Sequence, residues 1–95
     1  MAEGEDVIKT HMRTILTLAS DLEKLAVTAD SACLKTDDTE TRIIVAKGLE
    51  TQSKAILKYI DAQKEIVGQE RYNLLNPAVQ QAQNRVGEVL KKYFP

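Results

Sequence analysis

An apolar residue returns at every seventh position through the first third of this chain, at Ile8, Ile15, Leu22 and Ala29. Companion columns run at Leu18, Leu25 and Ala32 and at Met12, Ala19 and Ala26. A spacing of seven filled in at three and four belongs to an α-helix with a wide buried face. Strands would need alternation, and no Asn-Gly or Asp-Gly pair sits between alternating runs. The periodicity recurs twice further on, so the chain chiefly encodes how helices stack. Its aromatics are Tyr59, Tyr72, Tyr93 and Phe94, which leaves an aliphatic, alanine-rich core suited to close helix approach. At 95 residues, 43% hydrophobic and 28% charged, the chain is expected to fold as one helical domain over 1–95.

The boundaries follow from caps and breakers. Glu5 and Asp6 put negative charge at the positive end of a helix dipole, so helix one is expected over 5–34. Lys35-Thr36-Asp37-Asp38 then interrupts the pattern, and Asp37 with Glu40 has the spacing of a capping box. Helix two is expected over 38–74, with Val45, Leu49, Ile56, Ile60 and Val67 as its stripe and Gln52 and Gln63 interleaved. Gly48 and Gly68 fall inside it, each costing about 1 kcal/mol against Ala; a close helix approach at the first and a kink or helix end at the second are the natural reasons. Asn76-Pro77 is a preferred cap followed by a residue suited to the first helical position, which predicts helix three over 77–93.

Short connections make successive helices antiparallel neighbours. The predicted architecture is all-α, an antiparallel three-helix bundle made of a long helical hairpin and a shorter third helix. On these lengths helix three covers about half of helix two. Apolar positions off the main stripes, among them Ile43, Ile44, Ala55, Leu57 and Ala62, would then stay open. Self-association into a dimer or higher oligomer, in a coiled-coil-like bundle, is the simplest remedy.

Residues that could perform chemistry are few. There is one His and one Cys, and no His-Glu-x-x-His, Cys-x-x-Cys, Gly-rich phosphate loop or Gly-x-Ser-x-Gly setting. Asp37, Asp38 and Glu40 lack the glycine and the length of a calcium loop. His11 is expected at the margin of the buried face and Cys33 as a small buried thiol near a helix end. No enzyme activity, metal or cofactor is expected. A single cysteine, no leading signal segment and no apolar run of membrane-spanning length point to the cytoplasm.

A net charge of −1 gives no global field to hold a polyanion or a membrane. Locally, Lys47, Lys54 and Lys58 share one face of helix two and could bind phosphates. Glu50 and Asp61 stand at the i,i+4 and i,i+3 spacings that mark an ordinary solvated face. Function is therefore expected to be that of a non-catalytic interaction, adaptor or assembly protein that self-associates and binds another protein. Its candidate interface residues are Ile8, Met12, Ile15, Leu22, Gln52, Ile56, Gln63, Tyr93 and Phe94. The alternative is an oligomeric nucleic-acid-binding module, of a phage DNA-packaging kind, using Lys47, Lys54 and Lys58.

Overall fold

The computed structural model describes residues 2–94. It contains three helices packed against one another: α1 (Ala2–Leu34), α2 (Thr39–Val67) and α3 (Gln69–Tyr93). They form a rod of 56 × 17 × 16 Å. His11 of α1 meets Gln63 of α2 near one end, and Asp30 of α1 meets Lys92 and Tyr93 of α3 near the other. Consequently α3 runs antiparallel to α2 and parallel to α1. Among the described residues no helix is long and apolar enough to cross a membrane.

The turn into α2 differs from the sequence expectation in detail. Asp38, not Asp37, is the cap: its Oδ1 accepts from the Glu40 backbone N–H at 3.2 Å, and its Oδ2 accepts from the Thr41 hydroxyl at 2.6 Å. The hydroxyl bond, with the backbone bond behind it, holds the Asp38 carboxyl below its ordinary range.

The larger correction concerns the second turn. Helix two was expected to continue to residue 74 and helix three to begin at Asn76-Pro77. Instead the chain turns at Gly68, and Pro77 lies inside α3. Gly68 adopts φ 86°, ψ 158°, a region essentially closed to residues bearing a Cβ. Its N–H closes α2 on the Lys64 carbonyl at 3.0 Å, and its carbonyl opens α3 by accepting from Tyr72 N–H at 3.0 Å. Turning here puts Tyr72 and Leu75 at the head of a stripe that continues through Val79, Ala82, Val86 and Val89, all buried. Burying those two side chains outweighs a proline in the helix, whose lost hydrogen bond and ring clash cost about 3 kcal/mol. Pro77 is accommodated on the solvent side of α3.

Longer α3 changes the packing argument. Its 25 residues run beside α1 from the level of Ile8 to that of Asp30, so the half-covered groove expected from a short third helix is absent. The core is continuous, with Ile15, Ala19, Leu22, Ala26 and Ala29 meeting Leu49, Ile60 and Val67 and the α3 stripe. Three of the α1 residues in it, Ala19, Ala26 and Ala29, are alanines.

These assignments predict opposite responses at the two breakers. Gly68→Ala should lower stability by about 1–3 kcal/mol, the cost of holding a Cβ in that backbone region. Pro77→Ala should raise it by restoring a helical hydrogen bond. Chemical denaturation of both variants checks this, and the reverse signs would place the turn at Asn76-Pro77.

Candidate functional site

The sequence-derived candidates divide by location. Ile15 and Leu22 have no exposed surface, because they sit at the middle of the α1 arc that faces α2 and α3 together. Ile8, Met12 and Ile56 are half-buried against the core. Gln63 is buried, and the His11 Nδ1–H donates to its Oε1, which accounts for an amide in an apolar stripe. Gln52 is exposed and lines a shallow groove between α1 and α2.

Tyr93 packs half-buried against the core, and Phe94 is the half-buried residue that ends α3. The Tyr93 hydroxyl donates to Asp30 Oδ1 at 2.7 Å, and the Lys92 ammonium donates to the same oxygen at 3.0 Å. The Tyr93 bond first, and then the Lys92 bond, hold the Asp30 carboxyl below its ordinary 3.8. In return, hydrogen bonding to Asp30 pushes both Tyr93 and Lys92 above their ordinary values. Cys33 is enclosed at the same end: burial pushes its thiol up, its Sγ–H points to the Arg42 carbonyl at 3.8 Å, and the Arg42 Nε donates to the Cys33 carbonyl at 3.0 Å. It is held as a thiol rather than as a reactive thiolate.

Lys47, Lys54 and Lys58 lie exposed on α2. Lys54 Nζ stands 3.9 Å from Glu50 Oε1, with both side chains open to solvent, the arrangement of a surface i,i+4 pair.

The surface with the most distinctive chemistry is the side shared by α1 and α2. Leu25, Thr28, Ala29 and Ala32 of α1 and Val45, Gly48, Leu49 and Gln52 of α2 line its groove, of about 210 Å³. Beyond the groove, Ile44, Gly48, Ala55, Tyr59, Ala62 and Ile66 recur at intervals of three, four and seven, which puts them on one flank of α2. Ile44 is 63% exposed, Tyr59 55% and Ile66 48%, so this second stripe faces outward. On α1 the matching flank carries Val7, Thr14, Leu18, Asp21, Leu25, Thr28 and Ala32. Of the residues named on the two flanks only Asp21 is charged, and the seven-residue column of Ile44 continues through Thr51, Lys58 and Glu65 at the border of the face.

The other sides of the rod are more polar, and Leu16, Val27, Leu34 and Leu74 are separate exposed apolar residues on them. The α1/α3 side is closed by the Asp30 cluster and by a polar cleft of about 500 Å³ among Glu23, Gln80, Gln81, Asn84, Arg85 and Glu88. Outer α3 is amide-rich, with Gln69 bonded to Asn73 at 2.7 Å and Gln80 to Asn84 at 3.1 Å. Sequence reasoning singled out Ile44, Ala55 and Ala62 as surplus but passed over Tyr59 and Ile66. The signal that would have found them is the three-and-four spacing they share with Ala55 and Ala62. Comparison with protein-family profiles, with curated proteins and with solved structures gave no match.

Two measurements test the internal ties. Asp30 has a lowered pKa, so its contribution is present above its ordinary value and is lost as pH falls through 3.8 and below. The raised Tyr93 and Lys92 contribute below their ordinary 10.0 and 10.5, and that contribution is lost above those values. Tyr93→Phe should therefore lower the thermal midpoint at neutral pH, and the gap to the parent should close below pH 3.8. A gap constant down to pH 2 would deny the tie. Separately, His11→Leu should cost about 1–3 kcal/mol by leaving the Gln63 amide unpaired, and adding Gln63→Leu should recover much of the loss. Additive losses in that cycle would show that the two side chains act independently.

Proposed function

We propose that this chain is a non-catalytic, cytoplasmic helical assembly protein that self-associates and works by docking protein surfaces through its α1/α2 side. The observation that carries the reading is the scarcity of charge there. Two neighbouring helices present roughly 40 Å of outward surface, at 1.5 Å per residue, made mostly of apolar, small and hydroxyl side chains, with Asp21 on it and Lys58 and Glu65 at its border. A face used only for contact with water gains nothing from exposing Ile44, Tyr59 and Ile66, and contiguous apolar surface of this extent marks an interaction site.

The non-catalytic half of the reading is supported by what the two reactive side chains are doing. His11 is engaged by Gln63, and Cys33 is enclosed with its thiol raised. The free cysteine fits a reducing compartment. Engagement of Tyr93 by Asp30 directs the docking role away from the bundle end and onto the α1/α2 side.

Light scattering across low to high micromolar concentration tests this reading. The parent chain should show a mass above that of the 10.6 kDa monomer. Tyr59→Glu with Ile66→Glu should return it to monomer with helical content unchanged, whereas Asn84→Glu on outer α3 should have no effect. A parent chain that stays monomeric throughout would overturn the self-association.

A further inference from the structure

We propose that the α1/α2 side receives a single amphipathic helix of another protein, one whose apolar stripe is flanked on both sides by acidic residues. This rests on the reading of that side as an interaction surface and adds the shape and chemistry of the partner.

Two rows of cations frame the strip. His11 meeting Gln63 and Cys33 meeting Arg42 fix the register of the antiparallel α1 and α2, which sets Arg13 level with Asp61 and Lys24 level with Glu50. Arg13 and Lys24 lie on the outer edge of α1. Lys58 and Lys47 lie on the outer edge of α2, each about one turn along the rod from its counterpart. Within each row the spacing is eleven residues, which is three helical turns or about 16 Å. All four side chains are exposed, and none of them is ion-paired among the described residues. Glu50 lies farther round α2 and pairs with Lys54. Asp21 is the one acid inside the frame, and Glu65 stands beyond its end. The frame is therefore basic in a chain whose net charge is −1.

Width sets the occupant to one helix. Packed helices lie about 8–10 Å apart and a helix with its side chains is about 10–12 Å across, so one further helix fills the groove and leaves a cation row on either side of it. Lysine and arginine stems then lie along its flanks and carry their charges to carboxylates there. At the level of Lys24 and Lys47 the groove is lined by Leu25, Ala29, Val45, Gly48 and Leu49. A Cβ built on Gly48 would meet nothing within 4 Å, so the groove is open at that point to an aliphatic side chain from the partner. This is helix-in-groove recognition, in which anchors at three-and-four spacing enter an apolar channel. A second copy of the chain, laid face to face, brings the same basic rows to the same borders. Like charges then oppose each other, whereas an acid-flanked helix meets opposite charges and so displaces the second copy.

Titration of the full chain with two synthetic peptides tests occupant and chemistry separately. Each is an amphipathic helix of about 22 residues with leucine and alanine at three-and-four spacing. The first carries glutamates at eleven-residue spacing on both flanks of that stripe, and the second carries lysines at the same places. The glutamate peptide should bind one to one and at least about tenfold tighter than the lysine peptide, and its affinity should fall as salt is raised from ~50 to ~500 mM. Lys24→Glu with Lys47→Glu should abolish that preference and leave helical content and thermal midpoint unchanged. Equal binding of the two peptides overturns the acidic chemistry and keeps the docking side. If neither peptide binds and the chain forms a dimer that Tyr59→Glu with Ile66→Glu breaks, the occupant is a second copy and the proposal falls alone. If neither binds and the chain is monomeric, the docking side falls with it. Duplex DNA that binds at low salt and is lost in Lys24→Glu with Lys47→Glu, with no peptide bound, assigns the two rows to phosphates and also overturns the proposal.

Discussion

The bundle depends on a single backbone position. Gly68 takes a conformation from which side chains are excluded, and this lets α2 end and α3 begin with one residue between them. Because the reversal comes there, α3 acquires the eight residues from Gln69 to Asn76 and reaches 25 residues beside the 33 of α1 and the 29 of α2. Tyr72 and Leu75 enter the core as a result, and Tyr72 also receives the Lys64 ammonium over its ring at 4.9 Å. A turn at Asn76 would leave both side chains on an α2 extension with no helix beside it. The tightness of the turn also fixes the register in which α3 lies along α1, and so brings Asp30 within reach of Lys92 and Tyr93 at the far end.

Much of this was legible in the letters, and the part that was not has a definite cause. The seven-residue repeat of α1 located its core face at Ile15, Ala19, Leu22, Ala26 and Ala29, with Leu18 and Leu25 only half-buried and Ala32 exposed, and the polar run Lys35 to Asp38 located the first turn. Asn76-Pro77 misled because a local signal, a good cap before a proline, was weighed ahead of a longer one. The apolar stripe of α3 begins at Tyr72 and passes through the proline without a change of phase, which a helix starting at residue 77 would not explain. A glycine at 68 costs about 1 kcal/mol inside a helix, and the turn is what requires it. Capping moved by one residue for a related cause: Asp37 and Asp38 are equivalent on spacing, and only the Thr41 hydroxyl, in reach of Asp38, separates them.

The exposed apolar flank was legible in outline but for the wrong reason. Surplus apolar positions were attributed to a third helix too short to cover its neighbours. In the structure α3 covers its share, and the surplus lies on the flank that three helices cannot cover, since each helix of such a bundle turns roughly a third of its circumference inward. Ile15 and Leu22, chosen for their place in the strongest repeat, are core for the same geometric reason. Residues at the edges of that repeat, Leu18, Leu25 and Ala32, are the ones with a side still open. Strength of periodicity thus identifies what the chain hides from water by itself, and the weaker second period identifies what is left over.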